Sequence, residues 1–282
     1  MPTFLRRLGR SWPLLVLFMG LASMAWGQDA STKPTPAGPV HVMTLDGGIG
    51  PAPADWFERS LEEAAEADAE FFVLKLNTPG GLDKSMRDMI QAILNSPVPV
   101  ATWVAPSGSR AASAGTYILY ASHVAAMASA TNLGSATPVQ MGGGGGDDGG
   151  GSPLPFGGPQ QPEKDKDKDK EKESAPREKS AMEKKVINDA VAYIRGLAEK
   201  RGRNADWAEQ AVREAVSLSS SAALEQNVID LQADSLTELL EAVDGRTVEV
   251  QTGERTLHTK DAAVTQVEKD WRTNFLSVIT DP

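Results

Sequence analysis

Two short segments rich in glycine and other small residues carry the residue types that could perform chemistry. The first, residues 77–81 (NTPGG), follows the apolar run 71–76 and opens a predicted helix. Consecutive glycines let backbone N–H groups point into a cleft at a helix start, where negative charge is favoured. An ordinary strand-to-helix turn has the same composition. Alone, this segment therefore does not establish a site.

The second segment, residues 108–116 (GSRAASAGT), follows the apolar run 98–104 and surrounds Ser113 with small residues. A serine on a tight strand-to-helix turn is typical of a presented nucleophile. The alternative is that Ser113 only caps a helix. The two segments together are more informative, because attack on a carbonyl group needs both a nucleophile and preset N–H donors for the developing oxyanion.

A serine nucleophile needs a base. The chain has three histidines, His41, His123 and His258, and no cysteine. His123 follows Ser113 by ten residues but is interpreted as structural, and the other two histidines lie far from the glycine segments in sequence. A lysine that burial holds neutral can serve instead. Lys184 and Lys185, at the start of a predicted long helix, are the candidates, and helical spacing does not choose between them.

The elements that must position these residues alternate between strand and helix patterns. The order βαβαβαβ predicts a layered α/β domain. Strands are predicted at 40–45, 71–76, 98–104 and 124–128, and helices at 55–67, 82–94, 112–121, 181–201 and 205–215. Short pieces follow at 218–220, 222–226, 228–231 and 235–243, and then a hairpin around Gly253.

Composition excludes several classes of function. The formal charge of −10 argues against nucleic acid as a partner. Without cysteine there is no disulfide, thiol nucleophile or Cys-ligated zinc, and three histidines leave little for a metal site. We expect no cofactor and no metal.

The ends and the middle of the chain differ from the domain in composition. Residues 1–27 begin with arginines, continue with a short apolar stretch and end with small residues that suit a signal-peptidase cleavage site. This pattern predicts a secretory signal peptide and an exported protein. An uncleaved anchor is the alternative. Residues 28–38 are predicted to be a flexible linker. The glycine-rich and Lys-Asp-rich insertion 141–180 is predicted to be disordered, with a solvated helix as the alternative. Residues 246–282 are predicted to be a β-type tail that leads toward a missing membrane region.

Five segments in combination resemble the NfeD-type membrane-bound serine proteases. They are residues 77–82, 110–118 (RAASAGTYI), 132–139 (NLGSATPV), 188–194 (NDAVAYI) and 201–204 (RGRN). That family belongs to the Clp-protease/crotonase superfamily and is similar to the signal peptide peptidases. The resemblance implies a ClpP/crotonase-like fold of repeated ββα-type units over residues 39–245. It also implies a Ser–Lys dyad of Ser113 and Lys185, with the amides of Gly81 and Ala114 as oxyanion donors.

The resemblance also implies a function. Such a protein is a serine endopeptidase that cleaves hydrophobic segments of stomatin-like partners near a membrane. We expect it to form a homodimer or higher homo-oligomer. Because a neutral lysine requires burial, Lys185 is expected to be buried in an apolar cleft. The alternatives are a catalytically weak scaffold for a stomatin-like protein and, less favoured by a secretory signal, a crotonase-type acyl-CoA enzyme.

Overall fold

The computed structural model describes residues 38–139 and 181–269. In the first range the elements are β1 (Val40–Asp46), α1 (Pro51–Glu66), β2 (Phe71–Asn77), α2 (Asp83–Leu94), β3 (Val100–Val104), β4 (Arg110–Ala112), α3 (Ala114–Ala121), β5 (Val124–Met127) and β6 (Asn132–Gly134). In the second they are α4 (Ala181–Arg201), α5 (Ala205–Arg213), β7 (Ser217–Ser219), α6 (Ser220–Glu225), β8 (Leu231–Gln232), α7 (Leu236–Val243), β9 (Thr247–Val250), β10 (Gly253–Thr256) and β11 (Val264–Val267).

A six-stranded parallel sheet forms the centre of the domain. Its strand order is β11-β1-β2-β3-β5-β8. Alternate residues of β2 enter two separate cores: Phe72 and Leu74 pack with α1 to α5, whereas Phe71 and Val73 pack with α7. Both faces of the sheet are therefore covered, which explains why β2 is a continuous apolar run. Each fully buried side chain of this size contributes about 2 kcal/mol to folding.

A smaller sheet stands at the carboxyl ends of the central strands. It consists of β4, β6 and β7, with β4 and β6 parallel and β7 antiparallel to β6. Main-chain hydrogen bonds join it to the end of β2, because Thr78 N–H donates to the carbonyl of Arg110 and Ala112 N–H donates to that of Thr78. The succession β3-β4-α3 is one ββα unit. The predicted α/β fold of ββα-type units is confirmed.

Several predicted boundaries are wrong. The helix predicted at 112–121 begins at Ala114, because residues 110–112 form β4. Helix α1 begins at Pro51, since proline is well tolerated in the first turn. Helix α5 ends at Arg213, two residues before Ala215, which has a φ of 55°. The short piece predicted at 228–231 overlaps the short strand β8 at 231–232 by one residue.

Part of the predicted C-terminal tail belongs to the domain. Strands β9 and β10 form the expected hairpin, and β11 then pairs with β1 at the edge of the main sheet. The expected boundary at 245 therefore falls inside the packed structure. In the part of the chain that the structure describes, no helix is both long and apolar enough to cross a bilayer. The predicted signal peptide, the insertion 141–180, residues 270–282 and all but the end of the predicted linker lie outside the described residues.

Candidate active site

Ser113 occupies a strained turn between β4 and α3. Its backbone has φ 52° and ψ −116°, a conformation that a non-glycine residue adopts only when its surroundings enforce it. The N–H of Ser113 donates to the carbonyl of Gly134 at 2.9 Å, and the Ser113 carbonyl accepts from Thr116 N–H at 2.9 Å. These bonds hold the turn from both sides. The side chain is thereby displayed at a strand-to-helix junction, as a nucleophile requires.

The hydroxyl of Ser113 is not used to stabilise the fold. It makes no capping hydrogen bond to α3, and it has no hydrogen-bond partner among the residues the structure describes. The side chain is partly buried and reachable by solvent. The interpretation of Ser113 as a simple helix cap is therefore wrong.

The small sheet fixes the turn through a buried threonine. The hydroxyl of Thr116 donates to the carbonyl oxygens of Ala111 and Gly134, at 2.8 and 3.0 Å, and accepts from Gly134 N–H at 3.1 Å. Gly134 has a φ of +132°, and a Cβ there would lie 2.3 Å from the carbonyl oxygen of Val216. Close approach of β6 to β7 thus requires glycine. This support was not predicted from the sequence, although the segment 132–139 contributes to the family resemblance.

The glycine turn after β2 lies directly against Ser113. Gly80 has a φ of +119°, and a Cβ built on it would lie 2.7 Å from the Cβ and 3.2 Å from the Oγ of Ser113. Thr78 fixes this turn, since its Oγ1 accepts from Gly80 N–H at 3.0 Å. The predicted juxtaposition of the two small-residue segments is present in the structure.

The amides of Gly81 and Ala114 flank this serine and are unengaged. On the other side of Gly81, Ile49 N–H donates to the carbonyl of Gly80 and the Ile49 carbonyl accepts from Leu82 N–H. Neither Gly81 N–H nor Ala114 N–H has a hydrogen-bond acceptor within residues 38–139 and 181–269. Ala114 is the first residue of α3, whose amino end carries partial positive charge. Two free donors beside a free hydroxyl can stabilise an oxyanion.

Lys185 is exposed, so the expected burial of this residue is wrong for the single chain. The first five residues of α4, 181–185, are all exposed. Lys185 makes no hydrogen bond or ion pair with any described residue, Ser113 included. The physical reason is helical phase: with 3.6 residues per turn, Lys185 lies opposite the buried stripe that contains Ile187 and Ile194, whereas Lys184 lies near its edge. The structure does not bring the two dyad candidates into contact.

Helix α4 nevertheless begins at the end of the molecule where Ser113 lies. Helices α3 and α4 run in the same direction, because Tyr117 stacks on Tyr193 at 6.2 Å and, further along both helices, Arg201 Nε donates to the carbonyl of Ala121 at 2.8 Å. The residues before Tyr193 therefore extend toward the amino end of α3. This direction places the first turns of α4 on the side of the amino end of α3, where Ser113 lies.

The histidines have structural roles. His123 follows the carboxyl end of α3, away from Ser113, and its Nδ1 accepts from Val100 N–H at 3.1 Å. Burial, together with nearby Arg201 and Arg203, lowers the pKa of His123 to about 3. The imidazole is therefore a neutral packing group. This agrees with the interpretation of His123 from the sequence.

The fold and this arrangement define a class: an α/β domain of ClpP type with a serine on a strained turn that lies against a glycine turn. A family model described as the NfeD1b N-terminal domain matches residues 39–152. The membrane-bound protease PH1510 of Pyrococcus horikoshii is 32% identical over 245 residues, which cover 86% of this chain and 48% of that protein. The chain thus spans about half the length of this curated relative.

Solved structures give the same relationship. A mutant of the 1510-N membrane-bound stomatin-specific protease with one serine replaced by alanine superposes with a TM-score of 0.67 at 30% identity, covering 84% of this chain and all of that one. A mutant with one lysine replaced by alanine, in complex with a substrate peptide, superposes with a TM-score of 0.69 at 29% identity, covering 88% and 100%. The chain belongs to the family of 1510-N and NfeD1b, and it is a homologue of a serine protease.

Proposed function

We propose that this protein is a serine endopeptidase whose nucleophile is Ser113 and whose general base is Lys185. The observation that carries the proposal is the strained Ser113 turn, where a free hydroxyl stands beside the free amides of Gly81 and Ala114. A fold does not require this combination, since strain and unpaired donors are both unfavourable. Acyl transfer uses the displayed turn, the free hydroxyl as nucleophile and the free amides as oxyanion donors.

The proposed reaction has two halves. Neutral Lys185 takes the proton from the Ser113 hydroxyl while Oγ attacks the peptide carbonyl carbon, and the amides of Gly81 and Ala114 bind the oxyanion. Collapse of this intermediate breaks the C–N bond, and the lysine returns the proton to the leaving amine. Water, deprotonated by the same lysine, then hydrolyses the acyl-enzyme and releases Ser113.

The amine of Lys185 must be shielded from solvent before it can act as a base. An exposed ammonium is stable in its charged form, and burial is what favours the neutral amine. Lys185 is exposed in the single chain, so the proposal requires substrate or a second copy of the chain to cover the start of α4. We propose self-association for this reason. The direction of α4 relative to α3 supports the placement.

The proposed substrates are hydrophobic segments of stomatin-like proteins at a membrane, reached by an exported enzyme. A covered, desolvated cleft favours apolar side chains around the scissile bond. The bridge between Ile49 and Gly81 leaves the opposite side of Gly81 free for an extended peptide to pair as an added strand. The 1510-N protease, which is called stomatin-specific, supports this choice of substrate.

The test compares two serines. Ser113→Ala should abolish cleavage of an apolar, uncharged peptide and leave the melting temperature unchanged, because only an unengaged hydroxyl is removed. Ser107→Ala, at an exposed position of the loop before β4, is the matched control and should cleave at the wild-type rate. Cleavage by Ser113→Ala at the wild-type rate would refute the nucleophile.

A second candidate function is a catalytically weak scaffold that binds a stomatin-like protein. The exposure of Lys185 favours it, because a dyad that is not in contact has no base. The same assay separates the two functions. A scaffold binds the apolar peptide with equal affinity in wild type and Ser113→Ala and cleaves it in neither.

A further inference from the structure

A guanidinium group on α2 joins two of the elements that carry the candidate site. Arg87 Nε donates to Asp83 Oδ2 at 2.9 Å, and its Nη2 donates to Asp189 Oδ2 at 2.9 Å. Asp83 is the first residue of α2, two positions after Gly81. Asp189 lies on α4, four positions and therefore about one turn after Lys185. Arg87 thus links α2, which begins two residues after Gly81, to α4, the helix that carries the proposed base.

Aromatic stacking extends this link to the helix of the nucleophile. The guanidinium carbon of Arg87 lies 4.4 Å from the centre of the Tyr193 ring. Tyr193 in turn stacks on Tyr117, which lies one turn after Ser113, and the hydroxyl of Tyr117 donates to the carbonyl of Ala136 at 3.1 Å. Burial raises the pKa of Tyr117, so that the hydroxyl stays a donor. The contacts centred on Arg87 therefore reach α2, α3 and α4.

The chemistry of arginine suits this role. A planar guanidinium can bind two carboxylates in fixed directions and stack on a ring at the same time, whereas an ammonium group cannot. The pairs are exposed, with 39% of the Arg87 and 69% of the Asp189 side chain accessible. Ion pairs this exposed add little to stability. These ion pairs therefore fix the relative positions of the two helices more than they stabilise the fold.

We propose that Arg87 is a positioning residue that holds the first turns of α4, and with them Lys185, in register with the turn at Gly81. The inference rests on the proposed function, because that function makes Lys185 the base to be positioned. The observed contacts of Arg87 show how the positioning would occur. Arg213 provides a contrast, since its Nη1 donates to Asn188 at 3.2 Å and ties α4 to α5, a helix that does not follow the turn at Gly81. Arg87 joins α2, the helix that follows the turn at Gly81, to α4, the helix that carries Lys185.

The kinetic test uses Arg87→Ala, Arg87→Lys and the matched control Lys84→Ala. Lys84 forms an exposed pair with Asp88 on the same helix, and its other charged neighbour is Glu58 on α1, so it makes no link to α4. Arg87→Ala should lower kcat roughly 10- to 100-fold with little change in KM or melting temperature, because small misplacements of reacting groups have effects of that size. Arg87→Lys should recover only part of the loss, and Lys84→Ala should resemble wild type. Equal kcat in Arg87→Ala and Lys84→Ala would overturn the proposal.

A structural readout separates this proposal from the proposed function. The chain has no cysteine, so exposed Gln91 and Met182 can be replaced by cysteine and spin-labelled at only those two sites. The distance distribution between α2 and the start of α4 should be narrow in the parent and in Lys84→Ala, and clearly broader in Arg87→Ala. An unchanged distribution overturns the positioning role whatever the kinetics. If the parent does not cleave peptide, the proposed function fails, and the labels still decide the role of Arg87.

Discussion

At the scale of single residues, the backbone of Ser113 supports a catalytic role, whereas the exposure of Lys185 does not. The strained turn and free hydroxyl are what a nucleophile requires, whereas the side chain of Lys185, the proposed base, is exposed to solvent. A lysine that becomes neutral only when covered would keep the hydroxyl inactive until substrate or a second copy arrives. The two observations are compatible if assembly of the dyad is coupled to binding.

The two adjacent lysines can be distinguished by mutation. Lys185→Ala should lower cleavage by roughly 10³-fold or more, about as much as Ser113→Ala, because members of a catalytic unit fail together. Lys184→Ala should have a mild effect. Rates of apolar peptide cleavage measured for both variants check this, and the reverse ranking would assign the base to Lys184.

Sequence reasoning worked at this scale where a residue type has one strong physical meaning. Consecutive glycines and a serine among small residues predicted the juxtaposition of Gly80 and Ser113, which the structure contains. The exposure of Lys185 follows from helical phase, which the sequence contains; the expectation of burial came instead from the chemistry of a neutral lysine. Arg87 was missed because its partner Asp189 is 102 positions away in sequence.

At the scale of elements, the turn after β2 can be tested with a pair of glycines. Gly80→Ala should reduce cleavage strongly, because the new Cβ would lie 2.7 Å from the Cβ of Ser113 and displace it. Gly47→Ala is the matched control: its φ of +127° is similar, but a Cβ there meets nothing within 4 Å. Both variants should lose about 1–3 kcal/mol of stability from backbone strain, and Gly80→Ala should lose more because its new Cβ must also displace Ser113.

Gly47→Ala should keep its cleavage activity in spite of the backbone strain, whereas Gly80→Ala should lose it. Melting curves and cleavage rates measured in parallel check this prediction. If Gly47→Ala and Gly80→Ala lose activity equally, then contact between Gly80 and Ser113 is not what determines the rate.

Long elements could be predicted from the sequence, and short ones could not. The apolar run in β2 and the periodicity of α2 and α4 are long enough to show their period. Strands β4, β6 and β7 have three residues each, too few for any pattern, and they form because β6 can approach β7 closely at Gly134. The addition of β11 to the sheet is a long-range pairing that local sequence does not encode.

At the scale of the whole molecule, His123 makes stability depend on pH. The unfolded chain binds a proton at this residue below its ordinary pKa of 6.5, whereas the folded chain does so only near 3. Stability from this group is therefore complete above 6.5 and is lost progressively as pH falls toward 3. The free energy of unfolding should drop by about 2 kcal/mol between pH 7 and 5, at 1.36 kcal/mol per pH unit below 6.5.

The variant His123→Asn should remove most of this dependence. The asparagine side-chain oxygen can still accept from Val100 N–H, as Nδ1 of His123 does, but it does not titrate. Urea unfolding at several pH values gives the measurement. Parallel curves for wild type and the variant would show that His123 is not the responsible group.

The most direct measurement of the central claim is the site of covalent modification in the active protein. A fluorophosphonate reacts with a serine whose hydroxyl is activated and whose oxyanion is stabilised. Peptide mapping by mass spectrometry should find the adduct on Ser113, with loss of peptide cleavage in proportion to modification. An unmodified Ser113 in a chain that still cleaves the apolar peptide, or an adduct on another serine that accounts for the lost activity, would contradict the account.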